Sequence, residues 1–542
     1  MHKNQQGALR ADALGAEMEG VCRDEGRAVF VPGLLPGEEG LVRIVKEQKR
    51  FAFGRLMAPP TVPSPDRREP DCPAYPRCGG CSCRHMTYEA TLRAKQRHVA
   101  DCFERIGHMQ VNVPPVLGME HPFAYRNKTA LPVGGTAEHP QLGFFAPRSH
   151  ALIPITDCPN AMPPAMDIAR AFLGWMQANR IAPYVEETHT GLCRHLMIRV
   201  NRKGEAMVVV VVNGDALPHW EMLRDALAPL GTVSLILNRN TRRTNVILGP
   251  DFHLLWGRKT LADILCGSVF ELHPASFFQV NPMQTEVLYG LALDFADLRG
   301  DENVCDVYCG AGTISLMLAR HCRRVLGIEI VPQAIENAKA NAARNGVTNA
   351  EFRCGAAEEL LPGLVRDGLR PDVIVVDPPR KGLEPAVITA MAEAGPEKIV
   401  YVSCDVATQA RDAALLCAQG YELVKMQSVD MFCWTSGVEN VMVLSKLEEA
   451  KHIDIHVDMS ELDVTKAEAE NSATYEKIKA YVQEHFGFKV STLNIAQVKR
   501  KYGIIERECY NKAKTEDAKQ PGCPEEKAKA IVEALKFFGM IK

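Results

Sequence analysis

The stretch NVCDVYCGAGTISLMLAR, residues 303–320, constrains the fold of this chain more than any other. An apolar run of strand length gives way to a glycine-rich turn, and the turn gives way to a helix-length run. Gly310 and Gly312 let the backbone approach a ligand at the carboxyl end of that strand. RRVLGIEI follows as a second strand and ends in Glu329, nineteen residues after Gly310, where an acid suits two ribose hydroxyls. Strands and helices go on alternating from 271 to 447. The pattern predicts an α/β domain whose parallel sheet binds a nucleoside at its carboxyl edge.

At 542 residues the chain outgrows one core and should fold as several domains. With 46 % hydrophobic and 24 % charged residues it reads as an ordinary globular protein. MHKNQQGALRADALG has no apolar leader core. The longest apolar runs, MVVVVV (207–212) and VIVVD (373–377), fall far short of the ~20 residues of a membrane span. We therefore expect a cytoplasmic monomer with no membrane contact and no obligate protein partner. In that compartment some of the eighteen cysteines should bind metal or do chemistry. Others, such as Cys102, Cys193, Cys266 and Cys417, read as small buried hydrophobes. The net charge of −3 divides into +6 over residues 1–270 and −9 beyond, so the front half would face a polyanion.

Four regions follow from the pattern. Residues 1–60 alternate in short runs broken by PG and GEEG turns, as a small β-barrel does. There Lys46, Lys49, Arg50, Phe51, Phe53 and Arg55 interleave cations with aromatics, which suits a nucleic acid or a merely solvated hairpin edge. Residues 61–270 open on the Pro-rich linker, carry a cysteine group, and continue as a mixed α+β region with strands HLMIRVN and AMVVVVVNG. Residues 271–447 are the α/β domain. Residues 448–542 are polar and helical: TYEKIKAYVQEHFG puts Ile478, Tyr481, Val482 and His485 or Phe486 on one face, STLNIAQVKRK starts at a Ser/Thr cap, and PEEKAKAIVEALKFFG runs from Pro524 to Gly539. Lys499, Arg500 and Lys501 are expected to be exposed.

Three motifs carry chemistry. GAGTIS lacks the third glycine of GxGxxG, which favours S-adenosylmethionine over a nicotinamide dinucleotide. PDVIVVDPPR ends a strand in Asp377, and two prolines aim its carboxylate into the cleft. Arg380 follows, where enzymes that methylate exocyclic amines have an aromatic. In YVSCDVATQARD, Cys404 stands between a strand and a helix whose start should lower its pKa, while Asp405 should raise it. In DMFCWTSGVENV, Glu439 opens the last strand. A thiolate and a carboxylate at one cleft edge suit a uracil ring. Addition to carbon 6 makes carbon 5 electron-rich, and a base must later remove the carbon 5 proton. Separately, CPAYPRCGGC (72–81) has C-x5-C-x2-C spacing with Cys158 as a fourth thiolate, a set that zinc and an iron–sulfur cluster fit equally; Cys83 is spare.

Taken together, SFFQVN (276–281), DVYCGAGTISL, GIEIVPQAIENAKANAARNG, DPPRKGL, VSCDVATQARD and DMFCWTSGVENV resemble the bacterial RNA (uracil-5-)-methyltransferase family over roughly residues 10–447. Within it the chain is most similar to enzymes that modify 23S rRNA and carry an N-terminal TRAM domain. The resemblance implies a Rossmann-like class I S-adenosylmethionine-dependent methyltransferase domain behind an OB-type barrel. It implies Cys404 as nucleophile and Glu439 as base. Gln279, Tyr308, Gly310, Glu329 and Asp377 would lie at the cofactor, and Asp377 also at the uracil. Phe277 would stack on a base flipped out of its helix. A 4Fe-4S cluster of structural role would sit on Cys72, Cys78, Cys81 and Cys158.

Some positions depart from the family pattern. Cys433 stands for proline, Gly437 for histidine, Cys404-Asp405-Val406 for the usual CNP, and Ala356 for an acid. The T-loop of tRNA is the rival substrate. A non-catalytic RNA-binding scaffold is the rival from another class, and the presence of both Cys404 and Glu439 argues against it. A 5-methylcytosine enzyme would place a second cysteine where Arg380 stands. The helical extension would either touch RNA or pack on the enzyme.

Overall fold

Alternation along the first sixty residues closes into a barrel. Its strands are β1 (Gln6–Leu14), β2 (Gly20–Asp24), β3 (Arg27–Val31), β4 (Glu39–Glu47) and β5 (Phe51–Leu56), in the order β1-β2-β3-β5-β4 with β1 pairing back to β4. Val42, Ile44 and Ala52 point inward and are fully buried. Phe30, Phe51 and Phe53 stay outside and pack on one another, with ring centroids 5.6–5.8 Å apart. The guanidinium of Arg148 lies 5.1 Å over Phe53. This computed structural model describes residues 1–447, 475–486 and 524–537, with isolated positions between 488 and 499.

The central region is a seven-stranded sheet. Its strands are β6 (Lys128–Gly135), β7 (Pro140–Phe145), β8 (Leu152–Pro154), β9 (Cys193–Val200), β10 (Ala206–Val212), β11 (Thr232–Arg239) and β12 (Asp251–Gly257), ordered β12-β11-β10-β9-β6-β7-β8. Every residue of β10 is buried, because both faces of the sheet are covered. Val208, Val210 and Val212 meet α2 (Ala165–Ala178) and α3 (Trp220–Leu227). Met207 and Val209 meet Met197, Ile236 and Leu261 on the other side. Helix α1 (Tyr88–Arg105) also precedes this sheet, yet Val99, Cys102 and Phe103 pack in one core with Val406, Ala410 and Ala413 of the α/β domain. The expected boundary near residue 270 runs through the hairpin β13 (Leu261–Leu265) and β14 (Ser268–Leu272).

The α/β domain begins with α4 (Pro282–Ala296), capped by Asn281 with Pro282 at its first turn. Strands β15 (Asn303–Val307), β16 (Arg324–Glu329), β17 (Ala350–Cys354), β18 (Val373–Val376) and β19 (Lys398–Ser403) are parallel. β20 (Tyr421–Val429) and β21 (Glu439–Lys446) close the sheet antiparallel, in the order β17-β16-β15-β18-β19-β21-β20. Helices α5 (Thr313–Leu318), α6 (Pro332–Arg344), α7 (Ala357–Arg366), α8 (Pro385–Ala394) and α9 (Val406–Cys417) provide the crossovers. The order reverses at β15, which pairs β16 on one side and β18 on the other, so a crevice opens at the carboxyl edge.

Residues Glu449–Lys542 form a separate unit. In it α10 (Tyr475–Phe486) and α11 (Glu525–Phe537) share a core of Ile478, Val482, Ile531 and Leu535. Lys499 is buried there, at 6 % exposure, contrary to expectation. Arg500, Lys501, Gly539 and most of STLNIAQVKRK lie outside the described residues. Among the described residues no helix is long and apolar enough to cross a membrane.

Candidate active site

The glycine turn follows β15. Gly310 and Gly312 take left-handed φ of 56° and 80°, and a Cβ on Gly312 would press on Leu316, Ala338 and Phe352 at 3.0–3.2 Å. Tyr308, a non-glycine residue, holds φ 72° at the same bend, local strain of the kind found at functional turns. Its N–H and that of Cys309 donate to the Ile328 carbonyl at 2.9 and 3.0 Å, which sets the turn against β16. Glu329, at the end of β16, accepts from Gly310 N at 3.2 Å and from Val331 N at 2.8 Å. The acid and the glycine turn therefore share one edge. Beneath them Asp306 bonds the Ser315 hydroxyl, and burial pushes its carboxyl up to about 6.

The loop before α4 carries Phe277, Phe278 and Gln279. Phe278 is buried against Phe270, whereas Phe277 is 77 % exposed. Two side chains of the central sheet grip this loop. Arg199 Nη2 donates to Ser276 O at 2.8 Å, and Asn127 Nδ2 donates to Gln279 O at 2.9 Å. The side chain of Gln279 is buried.

Asp377, Cys404 and Glu439 occupy the next three strand ends in sheet order. Asp377 follows β18, Cys404 follows β19, and Glu439 begins β21. Ser403 pairs with Asn440, so Cys404 and Glu439 come to one edge from opposite chain directions. Asp405 caps α9 by accepting from Thr408 N at 3.0 Å, so the helix starts just past the thiol as expected.

The expected lowering of the thiol pKa does not occur. Burial, then the carboxylates of Glu439 and Asp377, push the Cys404 thiol up to about 11, and Arg380 only partly offsets them. Burial also pushes the Asp377 carboxyl up to about 7, with Asp306 adding to it. Glu439 is raised well above the usual carboxylate range by burial and then by Asp377. Burial and mutual repulsion thus favour the protonated form of both acids and of the thiol, groups whose protons a reaction could move.

A buried amide bridge fixes the edge. Asn440 Nδ2 donates to Gln409 Oε1 at 2.8 Å and Ser428 Oγ donates to Asn440 Oδ1 at 2.8 Å. Gln409 Nε2 donates to Tyr401 O at 3.0 Å and Asn440 O at 3.2 Å. Gln409 lies on α9, behind the cysteine, and Asn440 adjoins the glutamate. Neither residue was legible as functional in the sequence, because only the fold sets their 31-residue separation side by side.

Cys72, Cys78, Cys81 and Cys158 form no disulfide. Burial raises the Cys78 thiol, and Cys81, Cys158 and Cys72 each add to it, so the other three lie within reach of Cys78. Gly80 N donates to Cys78 Sγ, and Arg84 Nε and Asn160 Nδ2 donate to Cys81 Sγ, each at 3.4 Å. Among the described residues, however, no three His, Cys, Asp or Glu side chains stand in a metal-holding arrangement, so the expected cluster is not seen as a formed site. The donor set suits a soft metal centre, and the sulfurs would have to close up around it. Cys83 is fully buried and takes no part, and Cys266 and Cys417 are half-buried rather than buried.

A glycine turn at the switch point of a Rossmann-like sheet, behind a closed five-stranded barrel, defines an S-adenosylmethionine-dependent methyltransferase joined to an OB-type domain. Residues 267–447 match the tRNA (Uracil-5-)-methyltransferase family model, and residues 12–57 match the TRAM domain model. An uncharacterized RNA methyltransferase of Clostridium tetani is 44 % identical over 452 residues, 83 % of this chain and 98 % of that protein. One from Halalkalibacterium halodurans is 42 % identical over 448 residues, 82 % of this chain and 98 % of that protein. The crystal structure of Pyrococcus abyssi tRNA (uracil-54, C5)-methyltransferase in complex with S-adenosyl-L-homocysteine matches with TM-score 0.66 at 26 % identity, over 81 % of this chain and 100 % of that one. The chain belongs to the RNA (uracil-5-)-methyltransferase family.

Proposed function

We propose that the protein methylates carbon 5 of a specific uridine in 23S rRNA through a covalent bond between Cys404 and carbon 6 of the base. The observation that carries this reading is that the Ser403–Asn440 pair of β19 and β21 brings Cys404 and Glu439 to one edge, where the Glu439 carboxylate raises the Cys404 thiol. S-adenosylmethionine supplies the methyl group on its sulfonium. Cys404 gives up its proton to solvent and adds to carbon 6 as the thiolate, and carbon 5 then attacks the methyl carbon while S-adenosylhomocysteine leaves with the electron pair of the broken sulfur–methyl bond. Glu439 then takes the proton from carbon 5, the ring double bond re-forms, and the sulfur–carbon bond breaks to free the enzyme. Gln279, Tyr308, Gly310, Glu329 and Asp377 hold the cofactor, Asp377 also faces the uracil, and Phe277 stacks on the flipped base. The exposure of Phe277 on a gripped loop fits that role.

Cys72, Cys78, Cys81 and Cys158 would hold a 4Fe-4S cluster, with zinc as the alternative. Its role would be structural, since methyl transfer moves no electrons. We place the enzyme in the cytoplasm as a monomer. A second reading keeps the chemistry and takes the T-loop uridine of tRNA, which the Pyrococcus abyssi relative's own substrate favours. Incubation with tritiated S-adenosylmethionine and either 23S rRNA or tRNA, both transcribed without modification, separates the two. Label in 5-methyluridine of the rRNA alone supports the first, and label in tRNA alone replaces it with the second.

A further inference from the structure

The loop that leads into Glu439 is held by five successive backbone carbonyls, each caught by a donor from elsewhere in the chain. Asp430 O accepts Gln284 Nε2 at 3.3 Å and Met431 O accepts Asn281 Nδ2 at 3.1 Å. Phe432 O accepts Lys95 Nζ at 3.1 Å, and Cys433 O accepts the Tyr125 hydroxyl at 3.0 Å. Trp434 O accepts the N–H groups of Ser82 and Cys83 at 3.0 and 3.3 Å. Three of the five gripping sites lie before residue 130, outside the α/β sheet. Trp434 itself holds a left-handed φ of 65°, is 1 % exposed, and donates from Nε1 to Pro122 O at 2.7 Å.

Lys95 is the strongest of these grips. Its ammonium is fully buried on α1, pairs with the fully buried carboxylate of Asp430, and spends another N–H on Phe432 O. The Tyr88 hydroxyl donates to the same carboxylate at 2.6 Å. Burying two charges is costly unless geometry and hydrogen bonding repay it, and a neutral packed pair would stabilise the fold as well. A charge pair in this place therefore points to positional control.

We propose that Lys95 is a positioning residue for the base: with Asp430 it sets the loop 430–438 so that Glu439 meets the carbon 5 proton. The inference rests on the covalent reading above. The step it governs is the last one, in which Glu439 accepts the proton, the carbon 5–carbon 6 double bond re-forms, and the Cys404 sulfur leaves. Addition of Cys404 to carbon 6 depends on the end of β19 and the start of α9 instead, whereas the side-chain bonds of the Lys95 pair go to Phe432 O and the Tyr88 hydroxyl. A displacement of about 1 Å at a reacting group costs on the order of a hundredfold in rate.

The test is the double variant Lys95→Met with Asp430→Asn, which removes both charges at nearly constant shape and leaves no buried ion unpaired. Two rates are read: covalent capture by 5-fluorouridine RNA, where the base step is blocked, and release of product from unmodified RNA. The expected result is capture within twofold of the parent, release slowed tenfold or more with kcat lowered and KM unchanged, and a protein–RNA adduct that accumulates on denaturing gels. Equal slowing of both rates, or release within threefold of the parent, overturns the proposal. Should the double variant fail to fold, Tyr125→Phe, which removes only the hydroxyl on Cys433 O, decides by the same split at threefold or more. No capture by the parent enzyme would sink the covalent reading itself, and this inference with it, whereas normal parent capture isolates the fate of the inference.

Discussion

Ser403 and Asn440 are the last partners in the antiparallel pair β19–β21, and Cys404 and Glu439 are the residues that adjoin them at that edge. Because β21 enters the sheet reversed, its first residue arrives where the parallel strands end. Cys404 and Glu439 are thus brought to one edge by one register, and a slip of one residue would turn both away.

Replacing Cys404 by alanine should abolish methyl transfer and adduct formation together. Glu439→Gln should still form the adduct, and release should fall by on the order of a hundredfold or more, since the carboxylate is the only group moved. Denaturing gels of enzyme with labelled RNA show both. Turnover by the alanine variant would refute the assignment of the nucleophile.

The thiol at position 404 should titrate late. With its pKa pushed up to about 11 by burial and then by Glu439 and Asp377, alkylation by iodoacetamide at this cysteine should be slow at pH 7 and climb through pH 11. Glu439→Gln removes the first of those negative charges, so its profile should move to lower pH. Peptide-level mass spectrometry of the free protein measures both curves, and coincident curves would deny the coupling.

Gln409→Ala should cost about 2–4 kcal/mol, because it removes the acceptor of the buried Asn440 Nδ2 and the side-chain donor to two carbonyls. Thermal unfolding reports the loss. Methyl transfer should fall as well, since the same amide bridge fixes the strand that begins with Glu439.

Truncation after Leu447 should leave a folded enzyme. The family model ends at 447, and the segment beyond belongs to a separate unit. Methylation rates and RNA affinity within twofold of the full chain are expected; a tenfold loss of affinity would assign the extension to RNA contact.

The strand, glycine turn and acid of the cofactor edge were legible because they are local: Gly310, Gly312 and Glu329 lie within twenty residues, and the turn needs the conformations that only certain residues adopt cheaply. Periodicity likewise showed the barrel and the α/β rhythm. The motif around Cys404 placed the thiol at a helix start, yet the helix did not decide its proton affinity. Burial and two carboxylates from other strands raise the thiol, and those arrive only with the sheet.

What the amino-acid order determined by itself was the set of elements and the chemistry at their ends, since both depend on short-range backbone geometry and side-chain type. What only the tertiary structure decided was which ends meet. Lys95 reaches Asp430 across 335 residues, and Gln409 meets Asn440 across 31, because burying apolar faces on both sides of one sheet brings those positions together. No local pattern encodes such a meeting, for each partner, taken alone, is an ordinary polar residue on an ordinary helix, strand or loop.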